Sequence, residues 1–281
     1  MKFWKMHGLG NDYIVIDNRE GQISNRDAPR WAKMLCERRF SVGADGLLLV
    51  CPSQTADIKM QMFNADGSEA EMCGNGIRCF GKYCYEEGIV KKTEFTIETL
   101  ADIKYVWLIL EANKVLFVKV NMGEPNWQRY SLPMLGEGTC IDQKLQVGEV
   151  SYQITGLSMG NPHCVTFVEN VDSFPVGLVG ALFETHKIFP KRANAVFVQV
   201  LNPCEIRVRV WERGCGETLA CGTGACASFA VAKKLGRVQD KVTVHLRGGD
   251  LQIATGEDGI IYMLGPAENV YEGRLFKESL L

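Results

Sequence analysis

Two cysteines of this chain each precede an apolar stretch that is typical of a buried helix. Cys221 opens the sequence Cys-Gly-Thr-Gly, and an apolar helix is predicted over residues 225–235. Cys73 opens Cys-Gly-Asn-Gly before a second apolar stretch. Backbone N–H groups and the helix dipole at such a position favour the thiolate form of a cysteine and can also bind a carboxylate. We therefore expect an ionisable thiol and an anion site at the start of each helix.

The surroundings of the two cysteines repeat along the chain. An alternating strand pattern precedes both, and Glu69 stands four residues before Cys73 as Glu217 stands four before Cys221. The register extends upstream with small slips. The list of matches is Gly10-Asn11 with Gly160-Asn161, and Ala44-Asp45 with Ala193-Asn194. A repeat of this extent predicts two homologous halves, each presenting one cysteine.

Two thiols that face each other across a cleft suit the inversion of a carbon centre. Inversion by proton transfer needs a base on one face of the carbon and an acid on the other, and two cysteines that share one proton supply both. A helix N-terminus can lower the pKa of a cysteine from about 8.5 toward neutrality. Backbone donors of Gly74, Asn75, Gly222 and Thr223 would stabilise the negative charge that develops beside an α-carboxylate.

Each half contains many short strand patterns and one long apolar helix, which predicts an α/β protein of the α+β type. We expect two homologous domains related by a pseudo-two-fold axis, each a curved, mainly antiparallel sheet wrapped around a central buried helix. The first domain is predicted at residues 1–121 plus 267–281 and the second at 122–266, with a linker at 121–126. Turns are predicted at Gly8–Asp12 and Gly160–His163.

The composition and charge of the chain limit the classes of binding partner and the cellular compartment that can be expected. The chain has 281 residues, with 46% hydrophobic and 23% charged, as in a globular protein. The 31 Lys and Arg residues nearly balance the 33 Asp and Glu residues, which argues against a nucleic-acid partner. The longest apolar run, residues 105–110, is too short to span a membrane. The first residues lack the features of a signal peptide, so we expect a cytoplasmic protein.

The eleven cysteines do not indicate a metal site. Their spacings contain no Cys-x-x-Cys pair and only four histidines are present, so no metal ligands are predicted. Most of the cysteines lie in apolar surroundings and are expected to be small core residues, among them Cys36, Cys51, Cys84 and Cys164.

Seven motifs in order along the whole chain resemble the diaminopimelate epimerase family. They are Gly10–Tyr13, Asn64–Ser68, Met72–Cys79, Gly160–His163, Arg192–Asn194, Trp211–Thr218 and Ala220–Gly224. The resemblance implies an enzyme without a cofactor that converts LL-2,6-diaminopimelate to the meso form, on the route to lysine and peptidoglycan. It also implies the twin-domain fold and a homodimer with Tyr271 at the dimer contact.

The resemblance assigns roles to particular residues. Cys221 would take the α-proton of the LL substrate, and Cys73 would deliver a proton to the opposite face. His163 and Glu212 match positions that are important for activity. The positions that match substrate-binding residues are Asn11, Asn64, Asn161, Asn194, Glu212 and Arg213. Arg213 could bind the distal carboxylate through two hydrogen bonds, while asparagine carbonyls and Glu212 accept from ammonium groups.

Other interpretations of these residues stay open from the sequence. Cys73 and Cys221 could be core thiols, Glu69 and Glu217 could cap helices, and Arg213 could be a surface ion-pair partner. His163, Asn11 and Asn161 could be turn residues.

The function also has alternatives, namely a proline-racemase-like enzyme, a thiol redox or metal protein, and a non-catalytic binding protein. The Trp-Glu-Arg-Gly motif and Asn64 favour the epimerase, because they would recognise a second amino-acid head group. A pyridoxal mechanism is not favoured, because the repeated motifs contain no candidate lysine.

Overall fold

The computed structural model describes residues 1–276. The described residues form two compact units, the first made of residues 1–120 and 265–276, and the second of residues 121–264. The strands up to the middle of the chain are Lys2–Gly8 (β1), Asn11–Asp17 (β2), Gly46–Cys51 (β3), Ile58–Asn64 (β4), Glu69–Ala70 (β5), Glu94–Glu98 (β6), Ile103–Glu111 (β7) and Lys114–Gly123 (β8). The later strands are Cys140–Val147 (β9), Val150–Ser158 (β10), Pro162–Phe167 (β11), Asn194–Asn202 (β12), Glu205–Glu212 (β13), Gly216–Glu217 (β14), Lys241–Leu246 (β15), Gly249–Thr255 (β16), Ile261–Gly265 (β17) and Glu268–Arg274 (β18). The helices are Ala28–Cys36 (α1), Gly74–Glu86 (α2), Val176–Glu184 (α3) and Gly222–Lys234 (α4), and a 3-10 turn lies at Arg129–Ser131.

The two units pair their strands in the same order and directions. The first unit runs β18-β1-β2-β3-β4-β6-β7-β8, antiparallel except for the parallel pairs β2–β3 and β4–β6. The second unit runs β9-β10-β11-β12-β13-β15-β16-β17, antiparallel except for β11–β12 and β13–β15. Helices α1 and α3 each lie in the connection before a parallel strand, as parallel pairing requires a crossover. The mixed, mainly antiparallel architecture predicted from the sequence is therefore confirmed.

Each unit surrounds one buried helix. Helices α2 and α4 both have 13 residues, and their first residues are 148 positions apart (222 minus 74). Every residue from Gly74 to Cys84 is buried, as is every residue from Gly222 to Ala232. Helix α2 packs on β1, β2, β3, β4 and β7, and α4 packs on β10 to β13, β15 and β16. Apolar residues on all sides of these helices thus have a sheet to contact, as the sequence indicated.

Some connections differ from those expected. Strand β8 continues to Gly123, three residues into the segment expected to be a linker. The turn near the start of the chain is confined to Leu9 and Gly10, both with positive φ, and Asn11 already belongs to β2. The segment Glu268–Arg274 forms β18, which pairs with β1 in the first unit.

The buried thiols make the stability of the fold sensitive to alkaline pH. Burial raises the pKa of Cys36 and of Cys79 to about 12. Their folded-state pKa thus exceeds the unfolded value of about 8.5, so stability is full below that pH and falls by about 1.4 kcal/mol per pH unit per thiol above it. We expect these two residues to lower the free energy of unfolding by about 3 kcal/mol between pH 8.5 and 10. Urea unfolding at both pH values measures this change in the free energy of unfolding. The Cys36→Ala/Cys79→Ala variant should lose less stability than the wild type over the same pH interval. Equal losses in both proteins would contradict the assignment of the pH effect to these two thiols.

Candidate active site

Cys73 is the residue at which the chain enters α2. Its backbone is extended (φ −137°, ψ 126°), so the side chain stands at the N-terminus of the helix, where the first backbone N–H groups have no acceptor within the helix. The Sγ atom lies 3.0 Å from the hydroxyl of Tyr13 and 3.7 Å from Oδ1 of Asn11. The side chain is partly exposed. The first unit therefore presents an accessible thiol among polar groups at a helix N-terminus.

Asn11 links the strand β2 to the start of α2. Its Oδ1 atom accepts hydrogen bonds from the Tyr13 hydroxyl (2.5 Å) and from Nδ2 of Asn75 (3.2 Å). Its Nδ2 atom donates to Asp45 (2.7 Å), whose other oxygen accepts from Arg38 (2.8 Å). Both lone pairs of the Asn11 carbonyl are thus used within the protein. This arrangement fixes the side chain next to Cys73 more firmly than a turn-forming asparagine would require.

The N-terminus of α2 is also stabilised by Arg78, a residue that was not predicted from the sequence. The side chain of Arg78 is fully buried. Its Nη1 atom donates to the carbonyl of Gly74 (2.9 Å), and its Nε atom donates to the carbonyl of Pro266 (3.0 Å). Arg78 therefore ties the first turn of the helix to the segment that leads into β18. The signal in the sequence is an arginine one turn into a mainly apolar helix.

Cys221 occupies the same place in the second unit. Its backbone is extended (φ −122°, ψ 108°) at the entrance of α4, and its Sγ accepts the backbone N–H of Gly224 at 3.3 Å. The hydroxyl of Thr223 lies 3.5 Å from the same sulfur. Only 5% of Cys221 is exposed. The sulfur itself therefore caps the helix.

The environment of Cys221 favours the thiol in the free protein. Burial is the largest effect and raises its pKa well above the usual value, and the nearby Glu212 carboxylate, which accepts a hydrogen bond from the thiol, raises the pKa further. Thr223 and the Gly224 N–H act in the opposite direction but are outweighed. The expectation that the helix N-terminus lowers the pKa of Cys221 is therefore wrong in direction. The cause is desolvation, which destabilises the thiolate in a fully buried site.

Glu212 and Arg213 lie at the end of β13. The hydroxyl of Thr218 donates to Oε1 of Glu212 at 2.5 Å, and the backbone N–H of Arg213 donates to Oδ1 of Asn194 at 2.8 Å. The guanidinium of Arg213 is exposed and lies 3.4 Å from the carbonyl of Lys191. Within residues 1–276 it forms no salt bridge, so the interpretation of Arg213 as an ion-pair partner is wrong for this part of the chain.

Glu184 on α3 supports this turn and was not found from the sequence. It is a buried carboxylate that accepts from the Trp211 indole at 2.7 Å and from the Gly214 N–H at 2.9 Å. Arg192 forms a salt bridge with it at 3.2 Å. These contacts hold the residues on both sides of Glu212. No local motif marks Glu184, because Trp211 and Gly214 lie 27 and 30 residues further along the chain.

His163 lies in strand β11, not in a turn, so the turn interpretation of this residue is wrong. The side chain is fully buried; its Nε2 atom lies 2.9 Å from Oδ1 of Asn161, and its Nδ1 atom has no hydrogen-bond partner within residues 1–276. Burial, assisted by the charge of Arg213, lowers its pKa to about 3. The imidazole is therefore neutral at pH 7 and holds Asn161 in place.

Asn194 is adjacent to His163 in the parallel pairing of β11 with β12. The Asn194 side chain is buried and bridges two segments, because its Nδ2 donates to the carbonyl of Pro162 at 2.9 Å while its Oδ1 binds the Arg213 N–H. Asn64, the last residue of β4, donates through Nδ2 to the hydroxyl of Ser68 at 2.9 Å. The structure thus gives Asn194 a clear positioning role and places Asn64 at the end of β4, a strand that lies between β3 and β6 in the first unit's sheet.

The remaining predicted residues fall as follows. Glu217 does not cap α4; it binds Arg209 at 2.7 and 3.0 Å and Arg247 at 3.2 Å, so the capping interpretation is wrong for it. Tyr271 lies on β18 opposite Lys5, with 47% of its surface exposed. In the described part of the chain, no group of three or more His, Cys, Asp or Glu residues could hold a metal ion. No helix among residues 1–276 is long and apolar enough to cross a membrane.

The architecture is that of a class that includes proline racemase-type epimerases and proteins of the phenazine biosynthesis PhzF family. A PhzF-family protein of Bacillus anthracis superimposes with a TM-score of 0.72 and 18% identity, over 98% of this chain and 99% of that chain. A hydroxyproline epimerase of Agrobacterium vitis also gives 0.72, with 14% identity over 97% and 91% of the two chains. These identities show a common fold.

The sequence comparisons identify the family within that class. The family model described as diaminopimelate epimerase matches residues 3–128 and 155–270. A diaminopimelate epimerase of Pelotomaculum thermopropionicum is 50% identical over 97% of this chain and 98% of its own length. One from Methanococcus maripaludis is 50% identical over 98% and 99% of the two chains. The chain belongs to the diaminopimelate epimerase family.

Proposed function

We propose that this protein is an isomerase that converts LL-2,6-diaminopimelate to meso-diaminopimelate, a step of lysine biosynthesis. Relatives of that name match nearly the whole chain at about half identity. The observation that carries the mechanism is that each unit places a cysteine, Cys73 or Cys221, at the N-cap of its one buried helix. Meso-diaminopimelate is also the form used for peptidoglycan precursors, which we include in the proposed role.

In the proposed reaction the two thiols carry the proton. For the LL substrate, Cys221 as thiolate takes the α-proton, and Cys73 as thiol protonates the opposite face of the carbon; the reverse reaction exchanges their roles. Electrons left on the α-carbon are stabilised by the carboxylate, which accepts backbone N–H donors at the helix N-termini from Gly74, Asn75, Gly222 and Thr223. These residues supply both proton transfers, so the proposed reaction uses no pyridoxal phosphate and no metal ion.

The polar side chains around the thiols recognise the substrate in this proposal. Arg213 binds the distal carboxylate, since its exposed guanidinium is not held in a salt bridge within residues 1–276. Glu212 accepts a hydrogen bond from an ammonium group of the substrate and takes the proton of the Cys221 thiol. His163 acts through Asn161, because a neutral buried imidazole at 2.9 Å from the amide orients it. Asn11, Asn64 and Asn194 complete the list of binding and positioning asparagines.

We extend the proposal to assembly and compartment. Strand β18 lies at an edge of the first unit's sheet, since within residues 1–276 it pairs only with β1, and it exposes Val270 and Tyr271. A second copy of the chain that contacts Tyr271 would form the homodimer, and the proposed compartment is the cytoplasm. Sedimentation of the protein and its Tyr271→Asp variant tests the dimer, which the added charge should dissociate.

Proton NMR tests the function directly. LL-diaminopimelate is incubated with the protein in deuterated water, with chelator and reductant present and no added cofactor. Loss of the α-proton signal together with the appearance of the meso isomer is the expected result. Unchanged substrate in the presence of folded protein would overturn the assignment, and proline would then be the next substrate tested.

A pair of glycine variants tests whether the exact position of Cys221 matters. A Cβ atom built at Gly224 would lie 3.2 Å from the Cys221 sulfur and 3.1 Å from Val210, so alanine there must displace the thiol. At Gly76, the equivalent of Gly224 in α2, the nearest atom would be 3.4 Å away, in Tyr13. We expect Gly224→Ala to lower kcat about tenfold or more, and Gly76→Ala to lower it far less. Equal activities in the NMR assay would show that the sulfur position tolerates the shift.

A further inference from the structure

Tyr13 occupies in the first unit the position that His163 occupies in the second. Asn11 and Asn161 are 150 residues apart, and so are Tyr13 and His163. Both rings are buried, and each bonds to the asparagine two residues before it, the Tyr13 hydroxyl at 2.5 Å and the His163 Nε2 at 2.9 Å. The structural repeat thus pairs a residue of the proposed site with a tyrosine that has no assigned role.

The Tyr13 hydroxyl has two neighbours that compete for its one proton. Oδ1 of Asn11 lies at 2.5 Å and the sulfur of Cys73 at 3.0 Å, and either Tyr13 or Cys73 could be the donor in the second contact. When Cys73 is a thiol, it can donate to the tyrosine oxygen while the hydroxyl donates to Asn11. When Cys73 is a thiolate, the hydroxyl can turn and donate to the sulfur.

The phenol remains protonated under all conditions relevant to this exchange. Burial raises the pKa of Tyr13 well above its ordinary value, and the adjacent Cys73 adds to the shift. The other titratable groups that face the ring are Cys79 on α2 and Asp45 before β3. Burial raises the pKa of Cys79 to about 12, so it stays a thiol and does not compete for the proton.

We propose that Tyr13 is the positioning residue of Cys73. The Tyr13 hydroxyl donates a hydrogen bond to the thiolate whenever Cys73 has released its proton, and it donates to Asn11 again when the thiol re-forms. The role in turnover rests on the proposed epimerase function, whereas the contact itself belongs to the free protein. A hydrogen bond to a charged sulfur is stronger than one to a neutral thiol, so the hydroxyl stabilises the base form of Cys73.

Alkylation of Cys73 by iodoacetamide, followed by peptide mass spectrometry from pH 6 to 10, tests the contact without using epimerase activity. Iodoacetamide reacts with the thiolate, so the pH midpoint of alkylation reports its formation. We expect Tyr13→Phe to move the midpoint upward by about one pH unit. The matched control is Tyr83→Phe, which removes the hydroxyl of a buried tyrosine on α2 about 15 Å along the helix from Cys73 and should leave the midpoint unchanged.

A second variant should shift the alkylation midpoint of Cys73 in the opposite direction. It also keeps the test possible if Tyr13→Phe does not fold. Placing 3-fluorotyrosine at position 13 makes the phenol a stronger donor and should move the midpoint to lower pH. Midpoints for Tyr13→Phe and the fluorotyrosine protein that coincide with the wild-type midpoint would overturn the proposal. In the NMR assay, Tyr13→Phe should lower kcat about tenfold with little change in KM. If wild type shows no epimerisation, the proposed function fails while the alkylation result still decides the role of Tyr13.

Discussion

Cys73→Ala and Cys221→Ala are each expected to lower kcat for the conversion of LL- to meso-diaminopimelate by about four orders of magnitude or more. Inversion needs one group to remove the α-proton and another to protonate the opposite face, so the loss of either leaves half of the reaction without a partner. A positioned acid or base contributes up to about 10⁴-fold, and water cannot replace a thiol that is held in the required geometry. Formation of the meso isomer, followed by NMR, measures the effect in both variants.

Two cysteines deeper in the same helices provide matched controls. Cys79 on α2 and Cys226 on α4 are fully buried. Replacing either by alanine removes a sulfur from the same helix without touching its N-terminus, and we expect activity within a few-fold of wild type. Substantial epimerisation by Cys73→Ala or Cys221→Ala, or a requirement for added pyridoxal phosphate, would refute the two-thiol mechanism.

The helices that carry these thiols could be predicted because their sequence signals are local. Cys-Gly-x-Gly followed by an apolar stretch marks the start of a buried helix, and the structure begins α2 at Gly74 and α4 at Gly222. The spacing of the repeat also predicted that both halves fold alike, and the two units do share one order of strand pairing. The information for both features lies within a few residues or in a comparison of the chain with itself.

Features that depend on distant partners could not be read in the same way. Gly160-Asn161-Pro162-His163 has the residues of a turn, but Pro162 and His163 lie in β11 because that strand pairs with β12 around Asn194. The local sequence predicts a lowered pKa for Cys221 from the backbone N–H groups and the helix dipole, whereas packing in the second unit buries the sulfur and raises that pKa. Both errors come from tertiary contacts that override a local preference.

Replacement of Glu212 by glutamine is expected to lower kcat/KM for the LL substrate by about 100- to 1000-fold. The carboxylate accepts the Cys221 thiol hydrogen bond and is itself held by Thr218 at 2.5 Å. Glutamine keeps the size of the side chain and the contact with Thr218, but it cannot take a proton from the thiol or pair with a substrate ammonium group. The expected loss of activity therefore comes from the missing proton acceptor and the missing negative charge, and the free energy of unfolding should change little.

The same variant should shift the titration of Cys221 in a defined direction. The negative charge of Glu212 raises the pKa of Cys221, so its removal must lower that pKa, although burial still holds it above the usual value. Iodoacetamide alkylation of Cys221 is therefore expected to begin at lower pH in Glu212→Gln than in wild type, even though the variant is the poorer enzyme. Glu217→Gln is the control, because the Glu217 carboxylate binds Arg209 and Arg247. An alkylation midpoint that rises in Glu212→Gln, or an activity equal to that of the control, would exclude Glu212 as the proton partner of Cys221. A Cys221 thiolate that forms at lower pH in a variant with lower epimerase activity would show that Glu212 serves the proton transfer itself and not merely the ionisation of the sulfur.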